Sequence, residues 1–113
     1  MTAQSPPIEP HLAVDYIYVN APKFAQAKAN RVYIENFMRS KKALLMSESD
    51  AKAANEREQY AYAHHEYQAL TLGLRAAVLE EETLLWAMKA AAFRIEIWRS
   101  QEASNRTQDK VMR

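Results

Sequence analysis

From Glu66 to about Arg106 the apolar positions keep one rhythm. Tyr67, Leu70, Leu74, Ala77, Leu84, Met88, Ala91, Ile95 and Trp98 follow alternating steps of three and four residues, with Glu81 as the charged interruption. The stretch holds no proline, and its single glycine is Gly73. This spacing predicts a long helix with an apolar seam, roughly 60 Å from end to end. A charged residue inside such a seam commonly fixes register or partner choice, and Lys41, Lys42 or Arg39 are the expected partners of Glu81. A second stripe runs along the opposite side. Leu72, Leu79, Trp86 and Phe93 recur every seven residues, flanked by Ala69, Ala76, Ala90 and Ile97. A helix apolar on two opposed faces has to be covered twice. The rest of the chain covers one face, and a second copy or another partner is expected on the other.

Upstream, the pattern predicts shorter elements. Residues 1–21 read as a mobile arm, because Pro6, Pro7 and Pro10 oppose a helix. Within it, Leu12 to Val19 is β-branched and aromatic. With no second strand to pair with, it reads as a short helix or an extended segment packed on the core. Asn20-Ala21-Pro22 reads as a cap followed by a first-turn proline, opening a helix from Pro22 to about Met46. Phe24, Val32, Ile34, Phe37, Met38, Leu44 and Leu45 supply its apolar side, and Ala25, Ala27 and Ala29 allow close approach. Ser47-Glu48-Ser49-Asp50 reads as a turn with a new cap, leading to a short helix from about Ala51 to Ala63. His64-His65 marks a boundary that the heptad phase of Tyr60 and Tyr67 also permits the helix to cross. Residues 107–113 are polar and read as a fraying tail.

The expected fold is therefore all-α: an antiparallel, coiled-coil-like helical hairpin over residues 22–106, with a short connecting helix, assembled as a homo-oligomer through Leu72, Leu79, Trp86 and Phe93. One domain accounts for 113 residues, and 49% apolar content is enough for a core. The chain has no cysteine, which excludes disulfides and thiolate metal sites. No apolar run approaches the length needed to span a bilayer, and the start lacks the order of a signal peptide. A cytoplasmic protein with no membrane partner is the expectation.

Net charge is only +1, but the charges are segregated. Residues 22–46 hold six lysines and arginines against Glu35, and residues 83–113 hold six against three acids. Residues 47–82 hold eight acids against three bases. Arg94, Arg99 and Arg106 near one helix end, joined by Lys28 and Arg31 from the first helix, make a candidate nucleic-acid surface, since clustered cations neutralise phosphates. The plainer reading is a solvated helix end whose cations complement the helix dipole.

Catalytic chemistry finds little support. His64 and His65 are adjacent and point about 100° apart on a helix, which does not match zinc-ligand spacing. Glu80-Glu81-Glu82 point in three directions, and only Glu81 lies in the seam. No nucleophile elbow, phosphate-cradling loop or dinucleotide fingerprint is present. The expectation is a non-enzymatic protein with no cofactor and no metal.

Three segments carry a resemblance. Arg39-Ser-Lys-Lys-Ala-Leu-Leu-Met46, Tyr60-Ala-Tyr-Ala-His64 and, above all, Arg94-Ile-Glu-Ile-Trp-Arg-Ser-Gln-Glu-Ala-Ser-Asn-Arg106 resemble small helical bacteriophage and prophage proteins encoded near phage recombination and replication genes. The resemblance spans roughly residues 22–106 and carries no catalytic residues. It implies a phage origin and a role beside DNA recombination or replication; contact with DNA or RNA is the expectation raised by the basic residues above. The alternative is a helical adaptor or inhibitor that binds a phage or host protein, such as a host defence protein.

Overall fold

The computed structural model describes residues 8–112, and every element in that range is helical. Helix α1 spans Pro10–Glu48, α2 Ala54–Ala63 and α3 His65–Met112. The chain divides into two compact units, residues 24–83 and a second made of residues 1–23 with 84–113.

The unit of residues 24–83 is an antiparallel hairpin. Arg31 reaches Glu81 and Lys41 reaches Glu66, so α3 descends as α1 rises. Its core is thin. Leu45 is fully buried, and Ala27 and Ala61 are the other apolar residues of this unit with almost no exposure. The seam predicted on α3 is the face that α1 covers: Tyr67, Leu70, Leu74 and Ala77 are half-buried and Glu81 is buried. In the other unit, the start of α1 lies against α3 around Ala87 to Arg94. There Ala13 and Ala91 are buried, and Leu84, Met88, Ile95 and Trp98 are half-buried.

Several boundaries differ from those read off the sequence. Helix α1 starts at Pro10, not at Pro22, so residues 10–21 are helical; residues 1–7 lie outside the described residues. Asn20 is not a cap. Its side-chain amide donates to the Tyr16 carbonyl at 2.8 Å within the helix. Pro22 sits in the helix interior, where it removes one backbone bond at a cost of about 3 kcal/mol. Packing explains why the helix persists. Ala13, Ile17, Asn20, Phe24 and Ala27 continue one heptad phase through the proline, and all five are buried or half-buried.

That phase also corrects the apolar side assigned to α1. Phe24, Ile34, Met38 and Leu45 face inward, whereas Val32, Phe37 and Leu44 are exposed. Of the three alanines expected to allow close approach, Ala27 is buried and Ala25 and Ala29 are exposed. The inward phase instead includes Arg31 and Lys41.

Helix α2 begins at Ala54, with Ala53 as an N-cap that makes no side-chain capping bond. Ser49 accepts from the Ala51 amide at 3.2 Å and belongs to the turn. The break between α2 and α3 is the single residue His64, extended at φ −65° and ψ 137°. Its amide donates to the Ala61 carbonyl, and its Nδ1 accepts from the Glu66 amide at 3.1 Å, so one residue closes α2 and caps α3. At the far end α3 continues to Met112, past the expected end near Arg106, with residues 99–112 exposed throughout.

Candidate functional site: two charged seams and an uncovered apolar face

The best-built polar arrangement lies inside the hairpin. Arg31 Nε donates to Glu81, its Nη2 donates to the other Glu81 oxygen at 3.1 Å, and its Nη1 donates to Glu35 at 3.0 Å. Two charges that interrupt two apolar seams thus answer each other by a bidentate fork. Glu81 is 7% exposed, and its carboxyl is held below the ordinary value of 4.5, chiefly by the hydrogen bond from Arg31. The same bonds, led by the one to Glu81, push the Arg31 guanidinium further above its ordinary value. Glu81 therefore pairs with Arg31, not with Lys41, Lys42 or Arg39. Lys41 binds Glu66 instead, and Lys42 binds Glu58 at 3.1 Å while lying over the Tyr62 ring. The Lys41 hydrogen bond holds Glu66 below its ordinary range. Contact with the Tyr62 side chain, then with Glu58, raises Lys42.

This arrangement is structural. Each of these charges is matched by an opposite charge within the fold, and no buried side-chain polar atom among the described residues lacks a hydrogen-bond partner. Among the described residues no group of three or more His, Cys, Asp or Glu side chains is placed to hold a metal ion. The imidazoles of His64 and His65 stack on each other at 4.5 Å between ring centres.

The five basic residues expected at a nucleic-acid surface are divided between the units. Lys28 and Arg31 belong to the hairpin of residues 24–83, and Arg94, Arg99 and Arg106 to the other unit. Arg31 is held by its two acids. Arg99 contacts Glu96 at 3.4 Å with both side chains well exposed. Arg94 and Arg106 are exposed, and neither makes an ion pair among the described residues. The signal that would have separated Arg31 from the others was present in the sequence: it occupies a seam position of α1, seven residues after Phe24 and seven before Met38.

The four residues expected at an interface are all exposed. Leu72 and Leu79 are each 68% exposed, and Trp86 and Phe93 each 57%. Helix α1 adds exposed apolar side chains that were not assigned to an interface: Tyr33, Phe37 and Leu44 in one unit, Leu12, Tyr16 and Val19 in the other. Each unit holds an open groove beside them. One, of about 560 Å³, is lined by Leu12, Tyr16, Ala87, Ala90 and Arg94 among others, and one of about 330 Å³ by Tyr33, Ile34, Ala76 and Glu80 among others. Among the described residues no helix is long and apolar enough to cross a membrane. In comparison with family models, curated proteins and solved structures, no match to the chain was found.

Proposed function

We propose that this protein is a non-enzymatic helical adaptor, binding other proteins through apolar helix faces. One observation carries the reading: large apolar side chains at helical spacing stay in water, with Leu72, Leu79, Trp86 and Phe93 all more than half exposed. Isolated exposed leucines need no explanation, but a periodic row of them marks an interaction surface. The expected phage origin and cytoplasmic location fit an adaptor that acts on a phage or host protein.

The second reading is an accessory factor in DNA recombination or replication that touches nucleic acid through Arg94, Arg99 and Arg106. It is favoured by the exposed, unpaired positions of Arg94 and Arg106. The two readings separate by salt. Fluorescence anisotropy with labelled single- and double-stranded oligonucleotides reads the second directly. If it holds, Arg94→Ala with Arg106→Ala lowers affinity and reduces the slope of log K against log salt by about 1.4–1.8, since each lost phosphate contact removes about 0.7–0.9. An adaptor shows no oligonucleotide binding at low salt, and captured protein stays bound after nuclease treatment. Capture that nuclease abolishes would overturn the adaptor reading.

A further inference from the structure

The outward face of α3 is a second heptad seam, and its composition specifies what covers it. The face lies on one continuous helix, so its geometry is that of α3 itself. Small residues at Ala76, Thr83 and Ala90 alternate with large ones at Leu79, Trp86 and Phe93, in steps of three and four, and all six are exposed. We propose that this face pairs with the same face of a second copy of the chain, antiparallel, about a two-fold axis between Leu84 and Leu85. The inference rests on the reading of the chain as an association module and names the occupant of one of its faces.

Side-chain size selects the direction. In a parallel pair, small would meet small and large would meet large, so Trp86 would lie against Trp86 and alanine would leave gaps beside it. Running the second copy antiparallel about this axis sets Thr83 against Trp86, Leu79 against Ala90 and Ala76 against Phe93 in successive layers. Each of these three layers then joins a small residue to a large one, and the next layer outward sets Leu72 against Ile97.

Charge selects the register. Arg75, Glu82, Lys89 and Glu96 recur every seven residues along one edge of the seam, with alternating sign. In antiparallel pairs the same edge of each helix faces its copy. About the proposed axis, Glu82 meets Lys89 and Arg75 meets Glu96, each twice by symmetry. A slip of one heptad in one direction sets Glu82 against Glu96 and Lys89 against itself. A slip in the other sets Arg75 against Lys89 and Glu82 against itself. Only the proposed register opposes unlike charges at all four positions. The other edge is permissive, because Glu80 then faces Ala87 and Arg94 faces Gly73.

The test uses the full chain, measured by light scattering after size exclusion and by double electron–electron resonance. A dimer mass is expected at micromolar concentration. Glu82→Lys alone, or Lys89→Glu alone, opposes like charges twice and weakens the dimer by roughly tenfold. Combining both changes restores it, with helix content by circular dichroism unaltered throughout. Because the chain has no cysteine, spin labels at Gln68→Cys or Gln101→Cys report geometry without background. Each position sits about 16 residues from the axis, so like labels on the two copies lie roughly 50 Å apart. A monomer at 100 μM concentration overturns the proposal while leaving an adaptor for a different protein intact. Short label-to-label distances, or a double charge swap that stays dissociated, overturn it as well.

Discussion

The two long faces of α3 carry nearly the same pattern and meet different surroundings. Along one face, Tyr67, Leu70, Leu74, Ala77 and Glu81 are half-buried or buried under α1. Along the other, Leu72, Leu79, Trp86 and Phe93 have no such cover. Periodicity marks a face that needs covering; it does not say what covers it. What separates the two is the charge inside the covered seam. Glu81 on α3 is answered by Arg31 on α1, a pair 50 residues apart in the chain, so the covered face is matched to this chain's own first helix. The uncovered seam contains no charge, only Thr83 among its small positions, and its charges flank it.

The comparison is tested most severely by equal truncations on the two sides of the helical layer. Leu45 is fully buried in the hairpin, and Leu45→Ala should cost about 2–5 kcal/mol in urea unfolding. Leu79→Ala removes the same atoms from a side chain 68% exposed, and in dilute protein it should cost less than about 0.5 kcal/mol. Loss of stability at Leu79 that grows with protein concentration would mean the outer face is buried in an assembly. An equal loss at both sites in dilute protein would break the distinction between the faces.

The next test separates Glu81 from its neighbours in Glu80-Glu81-Glu82. Glu81→Gln keeps the volume but leaves Arg31 only Glu35 as an acidic partner. It should lower Tm by several degrees, because a half-buried guanidinium loses its bidentate acceptor. Glu80→Gln, on an exposed edge, should leave Tm within about a degree. Restoring the Tm of Glu81→Gln by a second change, Arg31→Met, would show that the charges act as a unit. Similar shifts at Glu80 and Glu81 would sink that account.

How much of this was legible follows from where each signal sits. The seam of α3 was readable because nine apolar residues keep phase with one interruption. The seam of α1 was not, because Asn20, Arg31 and Lys41 occupy inward positions while Val32, Phe37 and Leu44 point out. Counting apolar residues therefore mixed the inward face with the outward one, and the partner of Glu81 was sought eight to eleven residues too far along, at Arg39, Lys41 or Lys42. Pro22 was read as a helix start because local rules favour it there, yet the heptad phase runs through it and tertiary packing prevails. The role of His64 as a one-residue joint depends on its Nδ1 accepting the Glu66 amide, a local geometry that spacing alone does not reveal.

The smallest expected effect is acid sensitivity, and it assigns the pH response to the covered seam. Glu81 and Glu66 have folded-state pKa values below the ordinary 4.5, the first through the Arg31 hydrogen bond and the second through that of Lys41. A carboxyl that binds its proton more weakly when folded stabilises the fold while it is ionised. Its contribution is complete above about pH 4.5 and disappears as pH falls through the lowered folded value. Arg31 adds nothing at the basic end, because its guanidinium, raised further by Glu81 and Glu35, stays charged at any pH the fold meets. Wild-type Tm should therefore hold from pH 7 to 5 and fall between pH 5 and 3. Glu81→Gln starts lower and should fall less over that window, because the larger of the two acid responses is gone; Glu66→Gln should flatten it less, since the Glu66 side chain is far more exposed. Parallel acid slopes in wild type and Glu81→Gln would show that the Arg31–Glu81 pair does not set the response.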